Sequence, residues 1–187
     1  LKQVHVNPTR IGFFNIIRKH KGKISLKNKK MQGNEMVADV HVQSSRIKPF
    51  KVGKKFFVSC QDEYPIMISM ACFLPGTSIF KGIEDLANKE SNRIKEMQKI
   101  CKQIGIKTRA SKNEIKVYGN PNLDFINKKI SVSGVLDHRI LISASILSLI
   151  TGVKANLKNF EQVRTSCPNF LSTISSLGGK FEVKKKN

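Results

Sequence analysis

Along this chain apolar residues fall at three- and four-residue spacing, a glycine follows, and then come one or two alternating stretches; the order appears three times. A helix of period 3.6 and strands of period 2 produce those spacings, and their recurrence predicts an internal repeat. In the first copy Pro8 stands near the start of a helix presenting Ile11, Phe14 and Ile17, and Gly22 ends it. Strands are expected at about 23–26 and 37–43, with Val4, His5 and Val6 alternating ahead of the helix. The second copy puts Ile94, Met97, Cys101 and Ile104 on one helical face, stops at Gly105, and continues as strands at 106–108 and 115–118. The third has Phe170, Leu171, Ile174 and Leu177, then Gly178, Gly179 and a short strand at 181–183. Two further helices, at 63–73 and 140–150, are apolar nearly all round, which predicts burial. The expected fold class is therefore α/β (α+β), with three repeated βαβαββ-like units at approximately 1–56, 57–120 and 121–187 around buried helices. Neither a Gly-x-Gly-x-x-Gly nor a Walker loop occurs, so a doubly wound sheet with one nucleotide crevice is not expected.

Composition narrows the picture. The 187 residues, 40% of them hydrophobic, suffice for a domain with a sizeable core. The first residue is Leu1, and the chain opens directly on an alternating stretch, so a fragment is expected. The apolar run 140–150 is interrupted by serines and falls short of the roughly 20 residues that span a bilayer, which argues against a membrane protein. Cys60, Cys72, Cys101 and Cys167 lie far apart, with no Cys-x-x-Cys pair and no His at metal-ligand spacing. They read as reduced, buried packing residues of a cytoplasmic protein, and no metal is expected. The net charge of +21 attracts anions, and residues 1–60 hold 14 Lys or Arg against only Glu35 and Asp39. Nucleic acid is the sharp reading of such a surface. Trp is absent, Tyr occurs twice, and no nucleic-acid module is recognisable. With 27 Lys against 7 Arg, a coding bias toward lysine is the better account, and nucleic acid is not expected as a partner.

Three segments place charge at the start of an apolar helix, where free backbone N–H groups favour anions. Asp62-Glu63-Tyr64-Pro65 precedes the helix at 63–73, and Asp62 is an N-cap candidate with Pro65 in the first turn. Lys89-Glu90-Ser91-Asn92-Arg93 opens the amphipathic helix of the second copy, with Glu90 and Arg93 three apart on one face. Taken alone, each of these segments is more often a plain cap or a surface ion pair. Asp137-His138-Arg139 borders an almost wholly apolar helix, so its polar groups must meet a network or a ligand cleft. Arg93 and Arg139 are two of seven arginines in a lysine-rich chain, and a planar fork matches carboxylate and phosphate better than an ammonium does. Asp62 and Glu90 add carboxylates for proton transfer, and Lys89 adds a mobile cation.

In order and approximate spacing, these three motifs resemble those of 5-enolpyruvylshikimate-3-phosphate (EPSP) synthases. The opening Asn7-Pro8-Thr9-Arg10-Ile11-Gly12 and the stretch Ala38-Asp39-Val40 through Ser44-Ser45 are similar to the bacterial branch that includes glyphosate-tolerant forms. The resemblance implies an enolpyruvyl transferase fold of two lobes with three repeated units each, of which residues 1–187 would be the C-terminal lobe, the N-terminal lobe being absent. It further implies transfer of the carboxyvinyl group of phosphoenolpyruvate to the 5-hydroxyl of shikimate 3-phosphate, with release of phosphate and no cofactor. Carried over by motif, Asp62 contacts the shikimate hydroxyls and acts as acid or base, and Glu90 serves the phosphoenolpyruvate methylene. Lys89 contacts the reacting hydroxyl, and Arg93 and Arg139 hold phosphoenolpyruvate. The resemblance implies Asp85 and Thr165 as additional substrate contacts.

The pattern departs from the family at two places. Asn92 replaces a common acid, which is expected to loosen a neighbouring arginine. Thr165, beside Arg164 and three residues before Pro168, replaces a substrate-facing lysine. The partners implied are the two substrates and the N-terminal lobe, in a full-length monomer, with negligible turnover by this chain alone. The alternatives are a UDP-N-acetylglucosamine enolpyruvyl transferase-like enzyme, whose reactive cysteine belongs to the other lobe, and a non-catalytic remnant.

Overall fold

The computed structural model describes residues 1–184. Near the N-terminus, strands β2 (Lys23–Gln32) and β3 (Glu35–Gln43) form an antiparallel hairpin, and β1 (Val4–His5) adds to the far side of β3. The hairpin reverses at Gly33, whose φ of +61° suits a residue without Cβ. Helix α1 (Gly12–Lys19) buries Ile16 and Ile17, one turn face of its apolar stripe.

From residue 51 to 119 the chain runs βαβαββ. Strand β4 (Lys51–Val52) is followed by α2 (Phe57–Cys60) and α3 (Tyr64–Ala71), and the chain returns in parallel as β5 (Gly76–Lys81). Helix α4 (Arg93–Gln103) leads to β6 (Lys107–Ala110) and β7 (Glu114–Gly119), which pair antiparallel to give the sheet order β4-β5-β7-β6. The opening strand of this stretch lies ahead of the position-57 boundary drawn from helix and glycine spacing. The remainder runs βαβα: β8 (Lys129–Val132), α5 (His138–Thr151), β9 (Lys154–Leu157) parallel to β8, and α6 (Phe170–Ser176).

Helices α3 and α5 lack a polar face because they pack into one core, although the last turn of α5 leaves Leu149 and Ile150 exposed. Tyr64, Met67, Ile68 and Ala71 of α3 pack in one core with Ile140, Leu141, Ala144 and Leu147 of α5. The serines of α5 are accommodated by bonding back along the helix, Ser143 Oγ to Arg139 O at 2.7 Å and Ser145 Oγ to Leu141 O at 2.8 Å. Gly152, at φ +70°, ends α5 in the left-handed conformation. Residues 181–183 do not form the expected strand. Their alternation meets no pairing edge, and Phe181 and Val183 remain exposed. Cys60, Cys72 and Cys101 are buried free thiols, whereas Cys167 is only half-buried. Among the described residues no helix is long and apolar enough to cross a membrane.

Candidate active site

The N-termini of α3, α4 and α5 meet at one place, and each brings the charged segment that precedes it. Asn92 caps α4 by accepting from the Lys95 backbone N–H at 3.0 Å, so its side chain is committed to the helix start. Asp137 caps α5 in the same way, accepting from Arg139 N at 3.0 Å. Helix α3 has Pro65 in its first turn, but Glu63 occupies its cap position without a side-chain bond, and Asp62 caps nothing. The Asp62 carboxylate instead faces arginines from the other two helix starts.

The resulting cluster is ionic on every side. Arg93, whose side chain is 2% exposed, donates from Nε to Asp137 Oδ2 at 2.8 Å, from one terminal nitrogen to Glu90 Oε2 at 2.6 Å, and from the other to Asp62 Oδ1 at 3.4 Å. Arg139, 26% exposed, pairs with Asp62 Oδ2 at 2.9 Å and approaches Glu90 Oε1 at 3.9 Å. Arg10 reaches Asp62 from the α1 side at 3.5 Å. Asp137 is fully buried, while the Glu90 side chain is 52% exposed, so the cluster opens to solvent on the Glu90–Arg139 side. Lys89 stands at the rim and donates to Gln61 Oε1 at 2.7 Å.

These neighbours set the protonation states. Burial pushes the Asp62 carboxyl up, but the Arg139 and Arg93 guanidiniums outweigh it and hold the group below the usual carboxylate range. Next to it, Glu63 moves the other way, raised by burial and by the charge of Asp62. Burial and the Arg139 charge lower the His138 pKa; its Nε2 faces Arg139 and lies 2.8 Å from Ser166 Oγ. Burial opposes charge on Arg93, and its bond to Asp137 prevails and raises its pKa.

Of the residues singled out by sequence, Asp62, Glu90, Arg93 and Arg139 come together, with Lys89 at their edge. Asp85 and Thr165 do not join them. Asp85 is exposed on the turn at Glu84–Asn88 and makes no side-chain bond among the described residues, and Thr165 Oγ1 is turned to Gln162 O at 2.7 Å. Gln61, Ser91, Asp137 and Ser166 also bond within or beside the cluster, in positions to which the motifs alone give no individual role. Asp137 had a visible signal, an acid placed directly before an almost wholly apolar helix. Among the described residues no group of three or more His, Cys, Asp or Glu side chains is disposed to hold a metal ion.

The family model for EPSP synthase (3-phosphoshikimate 1-carboxyvinyltransferase) matches residues 1–174. This chain belongs to the EPSP synthase family. Among curated EPSP synthases it is 34% identical over 177 residues to the 3-phosphoshikimate 1-carboxyvinyltransferase of Thermoanaerobacter sp., covering 95% of this chain and 41% of that protein. Against the enzyme of Rhizobium johnstonii the identity is 32% over 182 residues, with 96% and 40% covered. The EPSP synthase structure from Acinetobacter baumannii superimposes with a TM-score of 0.85 at 26% identity, over 99% of this chain and 42% of that one. A further match, the enolpyruvyl transferase NikO from Streptomyces tendae, has a TM-score of 0.60 at 12% identity over 90% of this chain and 35% of its own, and shows the fold alone. The chain thus spans about two fifths of the length of the EPSP synthases it matches.

Proposed function

We propose that this chain is the C-terminal lobe of an enzyme that transfers the enolpyruvyl group of phosphoenolpyruvate to the 5-hydroxyl of shikimate 3-phosphate, releasing phosphate. The observation that carries this reading is the meeting of Asp62, Glu90, Arg93 and Arg139 at three helix starts. Both substrates are small polyanions, and guanidinium forks at helix N-termini supply directional donors and a favourable dipole for them. Arg139, on the open side, receives the carboxylate or phosphate of phosphoenolpyruvate, with the terminal nitrogens of Arg93 behind it. Glu90, half-exposed and next to both arginines, serves the methylene proton. Asp62, held ionised, accepts hydrogen bonds from the shikimate hydroxyls. Lys89 approaches the reacting hydroxyl. No step in this scheme calls for a cofactor.

The chain spans 41% of the length of its Thermoanaerobacter relative; on this reading the substrates lie between two lobes, and half a cleft cannot enclose or orient both reactants. On this reading the complete enzyme is a monomer closing on its substrates, and four free thiols suit a reducing cytoplasm. The test is phosphate release from the two substrates by this chain alone, by the chain with the N-terminal lobe supplied, and by that pair carrying Glu90→Ala or Arg139→Ala. We expect negligible release alone, turnover on reconstitution, and losses of roughly 10²–10⁴-fold for Glu90→Ala. A folded, associated pair that releases no phosphate would favour a non-catalytic remnant.

A further inference from the structure

We infer that Asp137 is a positioning residue that sets Arg93 and Arg139 in register as a single anion clamp; the inference rests on the function proposed above. The Asp137 carboxylate is fully buried and both of its oxygens are used. Oδ2 accepts from Arg93 Nε at 2.8 Å and from Ser91 Oγ at 3.1 Å, and Oδ1 accepts from the backbone N–H of Arg139 at 3.0 Å. One rigid group therefore fixes the side chain of one arginine and the backbone of the other, across the starts of α4 and α5.

The choice of guanidinium nitrogen matters. Because Asp137 holds Nε, the two terminal nitrogens of Arg93 are left pointing at Glu90 and Asp62, toward the open side of the cluster. Those partners are 52% and 20% exposed, unlike Asp137, so a ligand anion can exchange with them while the Nε anchor stays in place. A buried charge pair with this geometry resists screening by salt. Asp137 touches no reacting atom in this scheme; it acts through the arginines.

Asp137→Asn separates positioning from folding. The amide oxygen still accepts from Arg139 N, keeping the helix cap, while the amide nitrogen confronts the Arg93 Nε–H with a second donor. In the chain reconstituted with the N-terminal lobe, we expect D137N to remain folded and to raise KM for phosphoenolpyruvate roughly 10- to 100-fold, with KM for shikimate 3-phosphate changed less than about twofold. In an Arg93→Lys background D137N should add little, because the group it orients is already gone. Additive effects of the two substitutions, or a drop in Tm with unaltered kinetic constants in the folded fraction, would overturn the inference and leave Asp137 as a helix cap. Absence of phosphate release from the unsubstituted pair sinks the proposed function and the inference together, whereas release with D137N unchanged sinks the inference alone.

Discussion

Asp62 and Glu63 are neighbours in sequence and opposite in electrostatic consequence. Asp62 faces two guanidiniums and is held below its ordinary value of 3.8; the stability it contributes is present above that value and is lost as pH falls through the lower folded one. Glu63 is raised from its ordinary 4.5, first by burial and then by the Asp62 charge, with only partial relief from Arg10. Its ionised form therefore costs stability at neutral pH, and the cost disappears once pH drops below the ordinary value and the carboxyl is protonated in both folded and unfolded chains. Glu63→Gln is expected to raise Tm at pH 7 and to leave it unchanged at about pH 3.5, where the carboxyl is already neutral. Thermal melts at the two pH values check this, and an equal gain at both would assign the effect to packing instead of charge. The paired acids illustrate why a motif of two adjacent carboxylates carries no single chemistry: the element that each side chain faces decides it.

At the scale of elements, the longer helices and strands β1, β2, β3, β6 and β7 were legible because their signal is local, whereas β4, β5, β8, β9 and the short α2 are not placed by spacing. The spacing of Ile94, Met97, Cys101 and Ile104 gives α4, and the lack of a charged face at 140–150 gives the burial of Ile140, Leu141, Ala144 and Leu147, though not of Leu149 and Ile150. What sequence could not supply was the partner of each end. Asp62 reads locally as a cap, yet its arginines lie 31 residues away and farther, and the Asp137–Arg93 bond spans 44. Residues 181–183 alternate like a strand but have no edge to pair with, a non-local requirement that alternation cannot reveal. Asn92 is the instructive case, because its departure from the family pattern looked like a loss of arginine orientation. Its oxygen in fact caps α4, and Arg93 is held by Asp137, Glu90 and Asp62. Asn92→Ala should therefore cost about 1 kcal/mol, a fall in Tm of roughly 2–4 °C, while Asn92→Asp retains the cap and most of the stability. A melt in which alanine and aspartate behave alike would remove the capping role.

For the whole molecule, the distribution of charge matters more than its sum. Asp and Glu number 13 against 34 Lys and Arg, yet Asp62, Glu90 and Asp137 gather at one cluster, where Arg93, Arg139, Lys89 and Arg10 offset them to within one charge. The site is thus close to neutral within a strongly positive shell. Two effects of salt separate accordingly. The buried Arg93–Asp137 pair is poorly screened, so ionic strength should leave the geometry of the clamp, and with it kcat, nearly constant. The shell acts at distances beyond about 8–10 Å, where physiological salt screens it, and its contribution is to concentrate and steer polyanions toward the cleft. If the function proposed above holds, raising monovalent salt from about 20 mM to about 300 mM in the chain reconstituted with the N-terminal lobe is expected to raise KM for phosphoenolpyruvate and shikimate 3-phosphate several-fold with little change in kcat. Initial-rate measurements across that range decide the matter. If KM does not respond, the lysines are solvated charge too dispersed to steer anything, and the coding-bias account of the composition suffices. If kcat falls together with the rise in KM, salt is reaching the clamp itself, and Arg93 is less protected in the working enzyme than its burial behind Glu90 and Asp62 implies.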